Sequence, residues 1–216
     1  MHPQRKYSLP AVPVTKEGIK IYERDLGLNV RSLRGKAVLD IGAGYGKFQG
    51  ECQKLGIPVI ALDPVYRNPK KVSGRFEAYL KVARNRRNKI VGINETLPFR
   101  ENSFDVVLSN CSSFHYLYLN YSRNRRYEMA KEMFEEVIRV LKPGGEARIC
   151  EVRQRSKDRI IYGTALRKIA KQSYPNISWE FVTITIPITT LWKLDGKKSF
   201  GFEEYLVLHK LAETVH

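Results

Sequence analysis

The residues best suited to chemistry lie in one loop, where three glycines alternate with other residues at the end of an apolar run. The loop, Asp40 to Phe48, reads DIGAGYGKF and overlaps the run VLDI. A glycine-rich loop between a first strand and a first helix commonly holds a nucleotide-like cofactor, because its backbone amides can approach the ligand closely. The spacing of the glycines and the position of nearby acids indicate which cofactor.

The glycine spacing disfavours two common kinds of site. A P-loop requires GxxxxGK followed by Ser or Thr, and that pattern is absent from the loop. A dinucleotide-binding loop requires GxGxxG, whereas Gly42, Gly44 and Gly46 form GxGxG and Lys47 stands at the place of the final glycine. That final glycine normally permits close packing of helix on strand, so its loss weakens the dinucleotide interpretation.

Two carboxylates favour a third kind of site. Asp40 lies two residues before the first glycine, where an acid would repel a pyrophosphate but attract a cationic amino group. Asp63 ends the next predicted strand, where a carboxylate can accept hydrogen bonds from both ribose hydroxyls. A cofactor with a cationic amino-acid end and a ribose is S-adenosylmethionine (SAM), and the sequence therefore predicts a SAM site.

The elements that must position these residues follow an alternating pattern. Helices are predicted over 17–27, 45–55, 75–84, 127–141 and 157–171, and strands over 36–41, 58–62, 89–93, 104–109 and 146–152. Two further apolar runs, FVTITIPI and EEYLVLHK, predict an antiparallel hairpin at a sheet edge. The fold class is therefore α/β, a Rossmann-like, doubly wound, seven-stranded mixed sheet with a C-terminal antiparallel β-hairpin. In such sheets ligands bind at the carboxyl ends of the strands.

The chain length predicts one domain, and the net charge predicts a polyanionic partner. The chain has 216 residues, which suits an extended arm over 1–16 and a single domain over 17–216. Its formal net charge is +16, and such a surplus favours nucleic acid or another polyanion. Three cysteines without a CxxC pair argue against a disulfide framework or a metal site. With no signal peptide or long apolar run, we expect a cytoplasmic protein without a membrane partner.

Four stretches, in order, resemble the successive signatures of class I SAM-dependent methyltransferases, in particular the group that includes ubiquinone-biosynthesis enzymes. They are VLDIGAGYGKF, VIALDP, LPFRENSFDVVLS and EEVIRVLKPGGEARI, and the resemblance covers roughly residues 35–152. The resemblance implies a methyl-transferring enzyme. It also implies that the backbone of Gly42, Ala43 and Gly44 lies against the methionine part of SAM, which Asp40 orients, and that Gly46 belongs to the cofactor-binding residues.

The same resemblance assigns the nucleoside part of SAM. Asp63 would bind the ribose, and the adenine would lie against Pro64 or the residue after it. Relatives often carry an aspartate at the position of Ile93 that contacts the adenine. Asn94 or Glu95 would take that contact in this chain.

The segment after the fourth predicted strand, NCSSFHYLYLNYSRNRR, is the predicted acceptor wall. SAM carries its own leaving group, so the protein needs no nucleophile and must instead position the acceptor. Asn110 would lie near the sulfonium, and His115 is either a general base or a positioning and packing residue. The segment lacks the [DNS]PP[YFW] pattern of adenine amino methylation, and Cys111 lacks the preceding proline of cytosine C5 methylation.

The basic residues concentrate in three segments that follow strands of the sheet. Residues 67–89 carry a net charge of +8, residues 123–126 carry +3 and residues 153–171 carry +6, which leaves −1 for the rest. Each segment departs from the carboxyl edge, where the cofactor is expected, so we predict an anionic acceptor, RNA (tRNA or rRNA). The predicted RNA-binding residues are Arg84, Arg86, Arg87, Arg125, Arg126, Arg153 and Arg155.

A finer resemblance points to tRNA methyltransferases that esterify the carboxymethyl group of a wobble uridine. It rests on GYGKF, LPFRENSFDVVLS, and a histidine followed by Arg125-Arg126. Two alternatives stay open. One is a methyltransferase for a small anionic metabolite, since the broad family mostly serves such substrates. The other is a non-catalytic module that binds RNA or protein, which the intact Asp40, glycine loop and Asp63 disfavour.

Overall fold

A computed structural model describes residues 18–67, 87–110, 112, 123–152, 168–169, 172, 174–187 and 200–212. The predicted arm over 1–16 and the predicted helix over 75–84 lie outside these residues, and of the predicted helix over 157–171 only 168–169 are described, as helical. The helices are α1 (Ile19–Leu26), α2 (Lys47–Lys54) and α3 (Arg123–Val140), with 3-10 turns at Val30–Leu33 and Pro64–Arg67. The strands are β1 (Val38–Ile41), β2 (Val59–Leu62), β3 (Lys89–Ile90), β4 (Phe104–Asn110), β5 (Leu141–Val152), β6 (Ile177–Pro187) and β7 (Phe200–Lys210).

The seven strands form one mixed sheet, which confirms the predicted fold class. Their order is β3-β2-β1-β4-β5-β7-β6, with parallel pairing from β3 to β5. β7 pairs antiparallel with both β5 and β6. The predicted hairpin is therefore present, with β6 at the edge, and Pro187 is the last residue of that edge strand. An edge position tolerates a proline because one side of the strand needs no ladder hydrogen bonds.

Buried residues cover both faces of the central strand β1 and divide the core into two layers. Leu39 and Ile41 pack against α3 in one layer, while Val38 packs in the other with α1 and α2. Because side chains alternate along a strand, Asp40 shares the face of Val38. α1 and α2 meet on that face, where the rings of Tyr22 and Phe48 stack with centroids 3.9 Å apart.

The C-terminal end of α1 is attached to the sheet from two sides. Gly27 ends the helix in the left-handed conformation at φ 55°, and a side chain at that position would overlap the hydroxyl of Tyr205 on β7. Arg148 on β5 donates hydrogen bonds to the carbonyls of Leu26 and Gly27 at 3.0 and 2.9 Å. These contacts set where α1 crosses the sheet and therefore which of its side chains reach the ends of β1 and β4.

The bounds of β3 and β5 differ from the predicted bounds. β3 has two residues rather than five because its pairing with β2 stops after Ile90, and Ile93 then forms an isolated bridge with Thr96. β5 begins at Leu141 rather than at Glu146, but its ladder with β4 is interrupted between Leu141 and Glu146. The predicted helix-ending sequence LKPGG therefore lies inside the strand as an irregularity.

Candidate functional site

The glycine loop is held in a shape that only glycines adopt easily. Gly42, Gly44 and Gly46 have φ angles of 69°, 57° and 75°, in the left-handed region that costs other residues about 1–2 kcal/mol. The amides of Gly42 and Ala43 both donate to the carbonyl of Leu62 at the end of β2, at 2.8 and 3.2 Å. The loop therefore turns its bare backbone toward the carboxyl edge of β1 and β2.

Asp63 links the end of β2 to the glycine loop through hydrogen bonds. Its two carboxylate oxygens accept hydrogen bonds from the amides of Gly44 at 2.9 Å and of Val65 at 2.8 Å. Burial raises the pKa of Asp63 to about 6, although both backbone donors oppose that shift. Each carboxylate oxygen has a second lone pair, so Asp63 can still accept the two hydroxyls of a ribose.

Asp40 lies completely buried beneath α1. The hydroxyl of Tyr22 reaches both of its carboxylate oxygens, at 2.9 and 3.0 Å. Burial first, and then the charge of Asp40, raise the pKa of the neighbouring Cys52 thiol to about 12, so Cys52 stays a neutral thiol at physiological pH. The predicted acid before the glycines is thus a fully buried carboxylate that the hydroxyl of Tyr22 orients.

Two residues at the end of β4 complete the described part of the site. Asn110 is 2% exposed, and its amide nitrogen donates to Asp25 of α1 at 3.4 Å. Ser112 lies over Gly42, where its hydroxyl donates to the carbonyl of Ile41 at 2.9 Å. β1, β2 and β4 therefore bring Asp40, Asp63 and Asn110 to one edge of the sheet, as predicted.

The remaining predicted residues divide into three groups. Pro64 follows Asp63 and opens a 3-10 turn, and Asn94 and Glu95 form the partly exposed turn after β3. Arg87 and Arg125 are exposed and Arg126 is half-buried. The others lie outside the described residues, and they are His115, Arg84, Arg86, Arg153 and Arg155. The roles assigned to all of these residues stay predictions.

The sequence interpretation missed Tyr22 and Asp25, which α1 delivers to the site. They lie three residues apart, so they share one face of the helix with the apolar Ile19 and Leu26. An acid on the apolar face of a short amphipathic helix is an unusual pattern, because buried carboxylates need partners. That pattern in IKIYERDL was the signal that could have identified Asp25.

The described residues fit the amino-acid end of SAM. The side-chain oxygen of Asn110 is buried and, within the described ranges, has no hydrogen-bond partner. It lies on the same face of the sheet as the carboxylate of Asp40, and both groups are hydrogen-bond acceptors of the kind that a cationic amino group requires. Across 18–67 and the other described ranges there is no cluster of three or more potential metal ligands.

The chain matches the family model of the methyltransferase domain over residues 39–149, and it belongs to that family. It is 32% identical over 126 residues to phosphoethanolamine N-methyltransferase 1 of Triticum aestivum, covering 56% of this chain and 22% of that protein. It is 31% identical over 126 residues to demethylmenaquinone methyltransferase of Renibacterium salmoninarum, covering 56% and 44%. The chain thus spans less than half the length of these curated relatives.

Solved structures agree with the fold. A SAM-dependent methyltransferase from Methanosarcina mazei superposes with a TM-score of 0.54 at 18% identity, over 82% of this chain and 93% of that one. A protein from Pyrococcus horikoshii gives 0.53 at 18% identity, over 89% and 90%. The family and the fold identify a class I SAM-dependent methyltransferase domain, with SAM as its cofactor. None of the helices in the described ranges has the length and apolarity needed to cross a membrane.

Proposed function

We propose that this protein transfers the methyl group of SAM to an anionic acceptor, and that the acceptor is RNA (tRNA or rRNA). The proposal is supported by two features at the carboxyl edge of the sheet, which are the residues of the proposed donor site and the arginine-rich first turn of α3. When bound, SAM supplies an electrophilic methyl group on a sulfonium. The chain's own residues must hold that donor, exclude water and bring the acceptor in line.

The donor side of the proposal rests on Asp40, the glycine loop and Asp63. The carboxylate of Asp40 lies where it can orient the cationic end of SAM, and the backbone of Gly42 and Gly44 leaves room for the methionine part. Asp63 would accept the ribose hydroxyls, with the adenine near Pro64. An intact set of such groups also argues against a non-catalytic binding module.

The ionisation of Asp63 gives the donor site a pH dependence. Since the pKa of Asp63 is raised to about 6, its carboxylate is ionised above pH 6 and becomes protonated below it. Ribose hydroxyls donate to the ionised form, so we expect SAM affinity to be constant from pH 7 to 8 and to fall by up to about tenfold per pH unit below 6. Isothermal titration calorimetry between pH 5 and 8 measures this profile.

Two variants control that pH profile. Asp63→Asn should bind SAM weakly with a flat profile over the same range, because position 63 no longer titrates. Asp105→Asn should keep the wild-type profile, because, although burial opposes them, the amide of Ala37 and then Lys142 hold the pKa of Asp105 below its ordinary value. A wild-type profile without the decline below pH 6 would contradict the role of Asp63.

The acceptor side rests on the first turn of α3. This 18-residue helix ends at Val140, next to Leu141, which pairs with the first residue of β4. At 1.5 Å per residue the helix is about 27 Å long, so its first turn lies at the opposite, carboxyl edge. That turn contains Arg125 and Arg126 and no acidic residue. Basic side chains are unfavourable at the positive end of a helix dipole, and an anionic acceptor would offset that cost.

One basic residue counted toward the acceptor surface has a different role. Lys89 is half-buried, and its ammonium donates to the carbonyl of Tyr45 at 3.2 Å while lying 5.5 Å from the ring centroid of Tyr66. Burial lowers its pKa to about 8. Lys89 therefore supports the glycine loop from the edge strand β3, and the RNA proposal depends on the arginines instead.

A small anionic acceptor is the second candidate, and the curated relatives favour it. One relative is named for phosphoethanolamine and another for demethylmenaquinone, and the first of these substrates carries a phosphate. The same arginines would serve a phosphate, because a guanidinium pairs with phosphate oxygens in a bidentate manner. The finer resemblance to wobble-uridine methyltransferases favours RNA.

Transfer of a tritiated methyl group from SAM into total tRNA, rRNA and a small-molecule extract distinguishes the candidates. We expect label in an RNA fraction, and we expect Arg125→Glu with Arg126→Glu to lower it at least tenfold. The same double variant should reduce the slope of log affinity against log salt by about 1.4, since each lost phosphate contact on a single strand is worth about 0.7.

The matched control reverses two exposed basic residues away from that edge, with Arg34→Glu and Lys54→Glu. It changes the net charge equally and should leave labelling and salt slope near wild type. Label confined to the small-molecule extract would support the second candidate. Equal loss in both double variants would mean that net charge, rather than this turn, attracts the acceptor.

A further inference from the structure

α1 places a second buried carboxylate at the methionine end of the proposed donor site. Asp25 is fully buried, and one of its oxygens pairs with the guanidinium of its neighbour Arg24. The other oxygen accepts the amide nitrogen of Asn110 at 3.4 Å. Asp25 therefore contacts the last residue of β4 although it lies 85 positions earlier in the chain.

The carboxylate of Asp25 decides which way the amide of Asn110 points. An ionised carboxylate only accepts hydrogen bonds, so it can pair with the NH₂ group of an amide and would repel the amide oxygen. The NH₂ group of Asn110 consequently faces Asp25, and its Oδ1 atom faces away. That oxygen is buried and has no hydrogen-bond partner in the described part of the chain. Most buried polar side-chain atoms in proteins do have a partner, so an unpaired one points to a missing ligand or water.

We propose that Asp25 is a positioning residue for the donor: it fixes the amide of Asn110 so that Oδ1 accepts an N–H of the ammonium group of SAM. The inference rests on the proposed function and assigns one subsite of it. β1 and β4 pair with Asp40 opposite Leu108, so Asn110 lies two residues further along and its side chain shares the face of Asp40. A buried acceptor on that face suits a cationic N–H donor.

Asp25→Asn tests the positioning role because it changes the hydrogen-bonding options and almost nothing in shape. An asparagine at position 25 can donate to Oδ1 of Asn110, which permits the amide to turn and occupies the oxygen that the ammonium needs. We expect binding of SAM and of S-adenosylhomocysteine, which share the ammonium group, to weaken at least tenfold. Methylthioadenosine lacks that group, and its affinity should change less than twofold.

A double-mutant cycle separates positioning from a general structural effect. Asn110→Ala removes the acceptor oxygen, so it should produce the same ligand-selective loss. If Asp25 acts through Asn110, the double variant should bind SAM no more weakly than Asn110→Ala alone. Independent structural damage at the two positions would instead multiply the two losses. Calorimetry with all three ligands provides the affinities, and thermal melting verifies that each variant is folded.

Asp105→Asn is the matched control, since Asp105 is a carboxylate at the amino end of β4 that binds Lys142 and the amide of Ala37. It should leave the affinities for all three ligands unchanged. Equal weakening of methylthioadenosine, unchanged SAM binding in Asp25→Asn, or multiplied losses in the double variant would overturn the inference. If Asp25→Asn does not fold, selective loss in Asn110→Ala is still required, and its absence overturns the inference. Wild-type protein that binds none of the three ligands would instead refute the proposed donor site.

Discussion

Gly42→Ala is expected to lower the affinity for SAM at least a hundredfold. Gly42 has φ 69°, in the left-handed region, and an added Cβ would overlap the side chain of Ser112. Ser112 is held there, because its hydroxyl donates to the carbonyl of Ile41 at 2.9 Å and lies 3.1 Å from the hydroxyl of Ser109. The overlap must therefore displace Ser112 or the loop itself, where the backbone of Gly42 would meet the methionine part of SAM.

Gly56→Ala provides a matched control for this prediction. Gly56 has φ 72°, and an added Cβ would have no atom within 4 Å. Both variants incur the left-handed backbone penalty of about 1–2 kcal/mol, but only Gly42→Ala also displaces a neighbour. Calorimetric titration with SAM and thermal melting should thus show a small loss of stability in both variants and a loss of affinity in one. Equal SAM affinities would mean that close backbone approach at Gly42 does not hold the cofactor.

The strands that carry the donor site were predictable because each is a short apolar run with an acid or amide at its carboxyl end. In a parallel sheet such ends meet at one edge, and Asp40, Asp63 and Asn110 do so. The predicted helix over 45–55 begins two residues later, at Lys47, because Gly46 occupies the N-cap position in the left-handed conformation. Local pattern therefore identified the elements, and backbone conformation set their boundaries.

The contacts that α1 makes at the site could not be predicted from the sequence in the same way. A helix before the first strand has no fixed position in an alternating β-α pattern, so its partners depend on tertiary contacts. Here Arg148 and Tyr205, both more than 120 residues later in the chain, set the end of α1 on the sheet. Their contacts bring Tyr22 to Asp40 and Asp25 to Asn110. The amphipathic pattern of the helix indicates that an acid is buried, but not what it contacts.

The short strand β3 is a case in which the local pattern predicted a strand longer than the one that forms. KIVGI has the composition of a strand, yet pairing stops after Ile90. A Cβ at Gly92 would approach the side chain of Leu62, so the chain passes close to β2 and then turns at Asn94 and Glu95. Strand propensity measures the fit of side chains to a pleated surface, and it carries no information about such a close approach.

Asp40→Asn is expected to lower SAM affinity about a hundredfold while the protein stays folded. Asparagine keeps the shape of the Asp40 side chain. In the wild-type protein the hydroxyl of Tyr22 bonds both carboxylate oxygens, and asparagine can still accept that hydroxyl. What it removes is the buried negative charge, and a hydrogen bond to a charged group contributes about 1.5–3 kcal/mol, which corresponds to about 10–150-fold in affinity. Calorimetric titration with SAM measures the loss.

Comparison with Tyr22→Phe and Asp105→Asn shows whether that loss comes from the charge of Asp40. Tyr22→Phe leaves the carboxylate in place with one fewer oriented donor, so its loss of affinity should be smaller than that of Asp40→Asn. Asp105→Asn removes a carboxylate from the other end of the sheet and should leave SAM affinity unchanged. If Asp40→Asn binds SAM as tightly as wild type, an acid two residues before the glycines does not attract the cationic end of the donor, and the assignment that began with DIGAGYGKF is wrong at that position.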